Sequence, residues 1–197
     1  FQRDTGLEAI ATLAKAQAEG PLKGVVIDLR NNPGGVLGAS VDMAGAVLDG
    51  GLVVYTEGRH PQAADQYEAA AGDMLNGAPI VVLINGGSAS ASEIVAGALQ
   101  DRRRAVIMGT RSFGKGSVQT ILPVNDTRAV KLTTALYYTP NGRSIQAEGI
   151  VPYIVVERAE VTSVESNRGT KEADLQGSLS GDGGPVDAQS ESEALTE

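Results

Sequence analysis

An α/β fold with a largely parallel sheet is what this chain predicts, and three observations carry that expectation. Strand–turn–helix units repeat three times before Met108, in the order that builds parallel sheets. The pattern then switches to strands joined by tight turns, so C-terminal β-strands are added to the core. From Arg158 onward the chain is rich in Ser, Gly, Glu and Asp with no aromatic residue, which predicts an acidic, disordered tail.

Taken in order, Thr5 followed by Glu8 reads as a capping box, opening a helix whose apolar face includes Leu7, Ile10, Leu13 and Ala14. Gly20-Pro21 ends it. Val25 to Leu29 is a short apolar run, as expected of a strand buried on both faces. Asn31 to Gly35 is a turn, and Leu37 to Leu48 a helix closed by Gly50-Gly51. Leu52 to Thr56 reads as a second strand; Glu57 to Gly77 is polar, alanine-rich and ambiguous. Pro79 to Ile84 is another buried strand, ending in Asn85-Gly86-Gly87. A helix from about Ser90 to Arg103 and a strand from Ala105 to Met108 follow. Ser117 to Val124, Ala129 to Tyr138 and Ile150 to Glu157 read as strands, with Asn125-Asp126 and Pro140-Asn141-Gly142 as turns. Residues 1–157 thus form one domain. Residues 158–197 form the acidic tail, with a short helical turn near Lys171 to Gln176, because this composition buries too little apolar surface to offset chain entropy.

Composition narrows the chemistry. The 197 residues carry no cysteine and one histidine, which excludes disulfide scaffolds and argues against a zinc site. The apolar fraction of 42% supports a true core, yet no run reaches the ~20 residues of a membrane helix. The net charge of −8 is uneven, with nine acidic and three basic residues from Arg158 to Glu197. Arg102-Arg103-Arg104 is one short run at a helix end, where cations suit the helix dipole, so nucleic acid is not an expected partner. The chain starts at Phe1 without a signal peptide and reads as a piece of something longer.

The chemistry concentrates in Asn85-Gly86-Gly87-Ser88-Ala89-Ser90-Ala91-Ser92-Glu93-Ile94 and in Phe113-Gly114-Lys115-Gly116-Ser117-Val118-Gln119. The first is a serine-rich turn at the mouth of a helix, where a hydroxyl projects into a cleft and the helix N-terminus stabilises negative charge. Ser88, Ser90 and Ser92 all lie near that position, and spacing does not choose between them, since serines also cap helices. A serine nucleophile needs a base, and His60 sits in a polar loop, a poor place for a buried one. A lysine serves when desolvation disfavours its ammonium form. Lys115 lies between two glycines that allow close backbone approach, with Phe113 as apolar cover; the bland alternative is a solvated loop lysine. Asp28 and Arg30 end a strand and suit an ion pair. Glu93 lies in the first helical turn, where a carboxylate is favourable in any case, and is expected to have no catalytic role.

With Gly24 to Gly35, Gly109 to Gln119 and Thr139 to Gln146, these blocks make the chain resemble the carboxyl-terminal processing peptidases, or tail-specific proteases. Four blocks in the family's order and spacing span most of residues 1–157. The resemblance implies a Clp-protease/crotonase-like fold of strand–strand–helix repeats. It also implies a serine endopeptidase with a Ser–Lys dyad, cleaving protein substrates near their C-terminus and needing no cofactor. By resemblance Ser90 is the nucleophile, Lys115 the general base, and Gln119 the residue that orients the lysine. The backbone N–H groups of Ala91 and of Gly35, with Gly34 as alternative, would hold the oxyanion. The implied partners are protein or peptide C-terminal tails, with self-association left open. The implied location is outside the cytoplasm, in periplasm, cell envelope or plastid lumen. The family's usual PDZ domain, which would precede Phe1, is not among these residues, and Gly149-Ile150-Val151-Pro152-Tyr153 departs from the family's Gly-Ile-x-Pro-Asp. Two rivals are an acyl-CoA enzyme of the crotonase type, which needs no Ser–Lys pair, and a catalytically silent binding or scaffold module.

Overall fold

The computed structural model describes residues 1–157. The expectations of disorder and of a short turn in 158–197 lie outside the described residues.

Two four-stranded sheets share one apolar core. The parallel sheet has the order β1 (Val25–Asp28), β4 (Ile80–Ile84), β5 (Val106–Gly109), β8 (Ile154–Val155). The antiparallel sheet has the order β3 (Asp65–Ala69), β2 (Gly51–Gly58), β7 (Arg128–Tyr138), β6 (Ser117–Asn125). The segment around Leu52 to Thr56, assigned by its position to the parallel repeats, therefore pairs antiparallel with β3 and β7. The ambiguous segment beyond Glu57 supplies β3, so its polar composition belongs to a half-exposed edge strand. Only Ile154 and Val155 of the expected last strand enter a ladder.

Helix α3 (Ala91–Asp101) is buried along every residue from Ala91 to Gln100. A helix enclosed on all sides needs small residues where neighbours press close. At Gly97 a Cβ would lie 2.9 Å from Thr139 Cγ2 and 3.0 Å from Ile150 Cδ1. Ile94, Val95 and Leu99 of α3 pack with Val53 and Val54 of β2, Val82 and Ile84 of β4, and Ile107 of β5. Helix α2 (Leu37–Gly45) packs between α1 (Thr5–Ala18) and α3.

Three local expectations change. Thr5 does not cap α1: it is the first helical residue, Asp4 is the N-cap, and the Thr5 hydroxyl accepts the Gln2 N–H at 2.9 Å. Strand β1 is not buried on both faces, because Val26 is 65% exposed and burial alternates along the strand. Arg102 is the C-cap of α3, the helix end expected of the arginine run, whereas Arg104 has a further role. Arg104 is largely buried and bridges Asp73 at 2.9 Å and the Val47 and Ala78 carbonyls, tying the end of α3 to the chain ahead of β4.

The strand order decides where the chemistry falls. In the parallel sheet β4 lies between β1 and β5, registered by Asp28 opposite Leu83 and Ile84 opposite Gly109. The turns leaving the carboxyl ends of these three strands are Asn31–Gly35, Asn85–Ser90 and Thr110–Lys115. Open parallel sheets carry their ligand sites at such carboxyl ends.

Candidate active site

Ser90 stands where the central turn enters α3. As N-cap it has φ 56° and ψ −115°, a conformation that costs a non-glycine residue of the order of 1–3 kcal/mol. The same tight strand-to-helix turn presents a nucleophile's hydroxyl clear of the backbone. The Ser90 carbonyl accepts the N–H groups of Glu93 and Ile94 at 2.8 and 3.0 Å, starting the helix. Its own N–H donates to Glu93 Oε2 at 2.8 Å.

The turn after β1 presses against this point. A Cβ at Gly34, where φ is +91°, would lie 2.7 Å from Ala91 N and 2.8 Å from Ser90 Cβ and would run into the Ala89 carbonyl. The Gly34 N–H is engaged by Asn32 Oδ1 at 3.0 Å. The N–H groups of Gly35, one peptide on, and of Ala91, at the helix N-terminus, have no acceptor among the described residues. Two free donors at adjoining turns, one of them on a helix N-terminus, are what an oxyanion requires.

The flanking serines do not cap α3, whose N-cap is Ser90. Ser88, fully buried, donates its hydroxyl to the Leu29 carbonyl at 2.7 Å and accepts the Asn85 N–H at 3.0 Å. Ser92, also buried, donates to the Asn32 carbonyl at 3.0 Å. A reciprocal pair, Asn31 N–H to Asn85 Oδ1 at 2.9 Å and Asn85 Nδ2 to Asn31 Oδ1 at 3.0 Å, closes the same seam. Asn31, Asn85, Glu93 and Ser112 organise the site largely through partners far away in sequence; the one local signal is Ser90-x-x-Glu93, the spacing of a capping box.

Lys115 follows β5 on the other side. Its N–H donates to Glu93 Oε2 at 2.8 Å, so one oxygen holds the main chain of both Ser90 and Lys115. The glycines around it are pressed by the chain at 145–149, with Gly114 at φ +89° facing Ala147 and Gly149. The Gly114 carbonyl accepts the Ala147 N–H at 2.9 Å, and a Cβ at Gly116 would meet Ile145 C at 2.8 Å. The Lys115 residue is half-buried. Phe113, expected as its cover, is 68% exposed and contributes its backbone instead, donating to the Ser88 carbonyl at 2.9 Å. Gln119 is exposed on β6 opposite Thr133, beside a bulge. Among the described residues no hydrogen bond joins Ser90 Oγ to Lys115 Nζ, or Gln119 to Lys115.

Electrostatics outside these loops is simple. Asp28 and Arg30 form the expected ion pair at 2.6 Å; the Arg30 guanidinium holds the Asp28 carboxyl below its ordinary value. Both side chains are about half exposed, so the pair adds little stability. His60 lies in the connection between β2 and β3, outside the three turns. Among the described residues no group of three or more His, Cys, Asp or Glu could hold a metal ion, and no helix is long and apolar enough to cross a membrane. Two surface cavities, one against Ile80, Arg104 and Val106 and one against Leu22 and Pro79, sit at the amino ends of the parallel strands, away from Ser90.

Comparison with known proteins matches this geometry to one group. A family model described as peptidase family S41 matches residues 1–156. A carboxy-terminal-processing protease of Bartonella bacilliformis is 54% identical over 161 residues, covering 80% of this chain and 37% of that protein. A carboxyl-terminal-processing protease of Synechocystis is 42% identical over 153 residues, covering 78% and 35%. Among solved structures, the photosystem II D1 C-terminal processing protease superposes with a TM-score of 0.70 at 36% identity, over 80% of this chain and 40% of that one. Mature CPAF shares the fold alone, at a TM-score of 0.63 and 16% identity. The chain spans little more than a third of the length of these two curated relatives.

Proposed function

The chain belongs to peptidase family S41, and on that premise we propose that it is the catalytic core of a serine endopeptidase with a Ser90–Lys115 dyad. The observation that carries the reading is the meeting of three turns at Ser90: the Gly34-Gly35 turn, the nucleophile turn and the Lys115 loop.

In this mechanism the extended substrate chain lies across the three turns. Ser90 Oγ attacks the scissile carbonyl carbon while the neutral Lys115 amine takes the hydroxyl proton. The carbonyl oxygen becomes an oxyanion held by the N–H groups of Gly35 and Ala91. One such donor is worth about 2.7–4 kcal/mol in the transition state. Collapse breaks the C–N bond, and the departing amine takes the proton from Lys115. Water then repeats the cycle on the acyl-enzyme, with Lys115 again as base. By resemblance Gln119 orients the lysine, through a contact that tightens in the Michaelis complex, as catalytic hydrogen bonds often do. No metal or cofactor is part of these steps. Proteins named for C-terminal processing head the relatives, so the substrates proposed are protein tails, cleaved outside the cytoplasm.

The test is labelling by a fluorophosphonate probe together with cleavage of peptides ending in small apolar residues. Ser90-dependent labelling and cleavage are expected. Peptide binding without either would overturn the enzyme reading and leave a scaffold module.

A further inference from the structure

Glu93 is completely buried and has no cationic partner among the described residues. A carboxylate in such a place is tolerated only when its oxygens are fully hydrogen-bonded. Its oxygens receive four donors. Oε2 takes the N–H groups of Ser90 and Lys115, both at 2.8 Å; Oε1 takes the Gly114 N–H and the Ser112 hydroxyl, both at 2.6 Å. The Ser112 oxygen in turn accepts the Ile150 N–H at 2.6 Å. One side chain thus bonds the nucleophile's turn to the lysine's loop and, through Ser112, to the segment behind it.

From this we infer that Glu93 is a positioning residue: its buried carboxylate clamps the Gly114-Lys115 loop onto the Ser90 turn and so sets the approach of base to nucleophile. The inference rests on the Ser90–Lys115 reading for its catalytic consequence, but the clamp itself is a property of the fold. Shape matters here, because only two acceptor oxygens match four converging donors. The function exceeds that of a carboxylate favoured at a helix N-terminus.

The test is Glu93→Gln in the active protease, read by amide hydrogen exchange and by steady-state kinetics. A glutamine keeps the shape but turns one oxygen into an NH₂ donor. Its better orientation aims that NH₂ at Ser112, whose oxygen can accept it, and leaves the Gly114 N–H facing a donor. Gly114 exchange is therefore expected to rise about tenfold or more, while the amides of Val95 and Leu99 deeper in α3 stay protected. Loss of placement should lower kcat roughly a hundredfold with KM nearly unchanged. Unchanged Gly114 exchange, or a rise in KM at constant kcat, overturns the inference. If Glu93→Gln does not melt cooperatively, Ser112→Ala decides, since it removes one of the four donors to Glu93, together with the acceptor of the Ile150 N–H, and leaves the carboxylate in place. It should lower kcat about tenfold at constant KM and speed Gly114 exchange, and parental values for both would overturn the clamp. A parent protein that never cleaves would refute the protease reading, while the exchange measurement still judges Glu93.

Discussion

Ser90 and Lys115 donate their backbone N–H groups to the same oxygen, Glu93 Oε2, each at 2.8 Å. One side-chain oxygen thereby ties together the main chain of both residues of the proposed dyad. The Lys115 side chain makes none of these contacts, while Ser90 and Glu93 form a capping box at the start of α3. The turn that presents Ser90 is strained, and the buried network around it keeps that strain in place.

Removal of the Ser90 hydroxyl or the Lys115 amine should leave folding nearly intact and end cleavage. Ser90→Ala and Lys115→Ala are each expected to lower kcat by more than ~10³-fold, and the double variant to be scarcely worse than either. Peptide cleavage by the three variants measures this. Additive losses would mean that the two residues do not act as one unit.

Ser88→Ala should destabilise the fold more than Ser92→Ala. Ser88 makes two hydrogen bonds, one across to the Leu29 carbonyl and one within its own turn from the Asn85 N–H; its loss orphans that N–H and leaves the Leu29 carbonyl with the Asn32 N–H alone. A cost of about 1–3 kcal/mol is expected, against about 1 kcal/mol for Ser92, which makes one such bond. Urea unfolding of the pair checks the order. Cleavage should survive in both, since neither hydroxyl is the nucleophile.

Gly34→Ala and Gly38→Ala should act in opposite directions. At Gly34 the backbone has φ +91° and a methyl would strike the Ser90 turn, so a loss of at least ~1–3 kcal/mol and of cleavage is expected. At Gly38, inside α2 with nothing within 4 Å of the added carbon, alanine should stabilise by up to ~1 kcal/mol and leave activity untouched. Thermal midpoints give both signs. Normal cleavage by Gly34→Ala would show that the turn tolerates displacement.

Alkaline pH should unfold the protein partly through Tyr137. Burial pushes its phenol above the ordinary value of 10.0, helped by the neighbouring Tyr67. The folded state holds the neutral form more tightly than the unfolded chain does. The stabilisation is complete below the unfolded pKa of about 10 and is lost as pH rises through the higher folded value. Tyr137→Phe should flatten the alkaline limb of denaturant midpoints measured from pH ~8 to ~11, leaving the smaller slopes due to Tyr55 and Tyr67. An unchanged limb would rule out Tyr137 as its main source.

What the sequence determined by itself was whatever depends on near neighbours. Apolar runs bounded by glycine and asparagine marked Val25–Asp28 and Ile80–Ile84 as strands, and the serine-rich turn before Ala91 marked a helix mouth. The four blocks identified the family and, by resemblance, pointed to Ser90 and Lys115 as the proposed dyad. What the sequence could not assign were properties of pairs distant along the chain. Strand β2 read as one more parallel unit until its pairing with β3 and β7 placed it in the other sheet. Ser88 and Ser92 read as caps because their acceptors, Leu29 and Asn32, are about sixty residues away. Phe113 read as apolar cover, but the fold uses its backbone and leaves its ring in water. Glu93 read as a helix-dipole carboxylate because Ser112, Gly114 and Lys115 come some twenty residues later and converge on it only once β5 lies beside β4. Local conformation follows from sterics and hydrogen bonding within a few residues, whereas the convergence of three turns on one serine follows from strand order, which only the folded core decides.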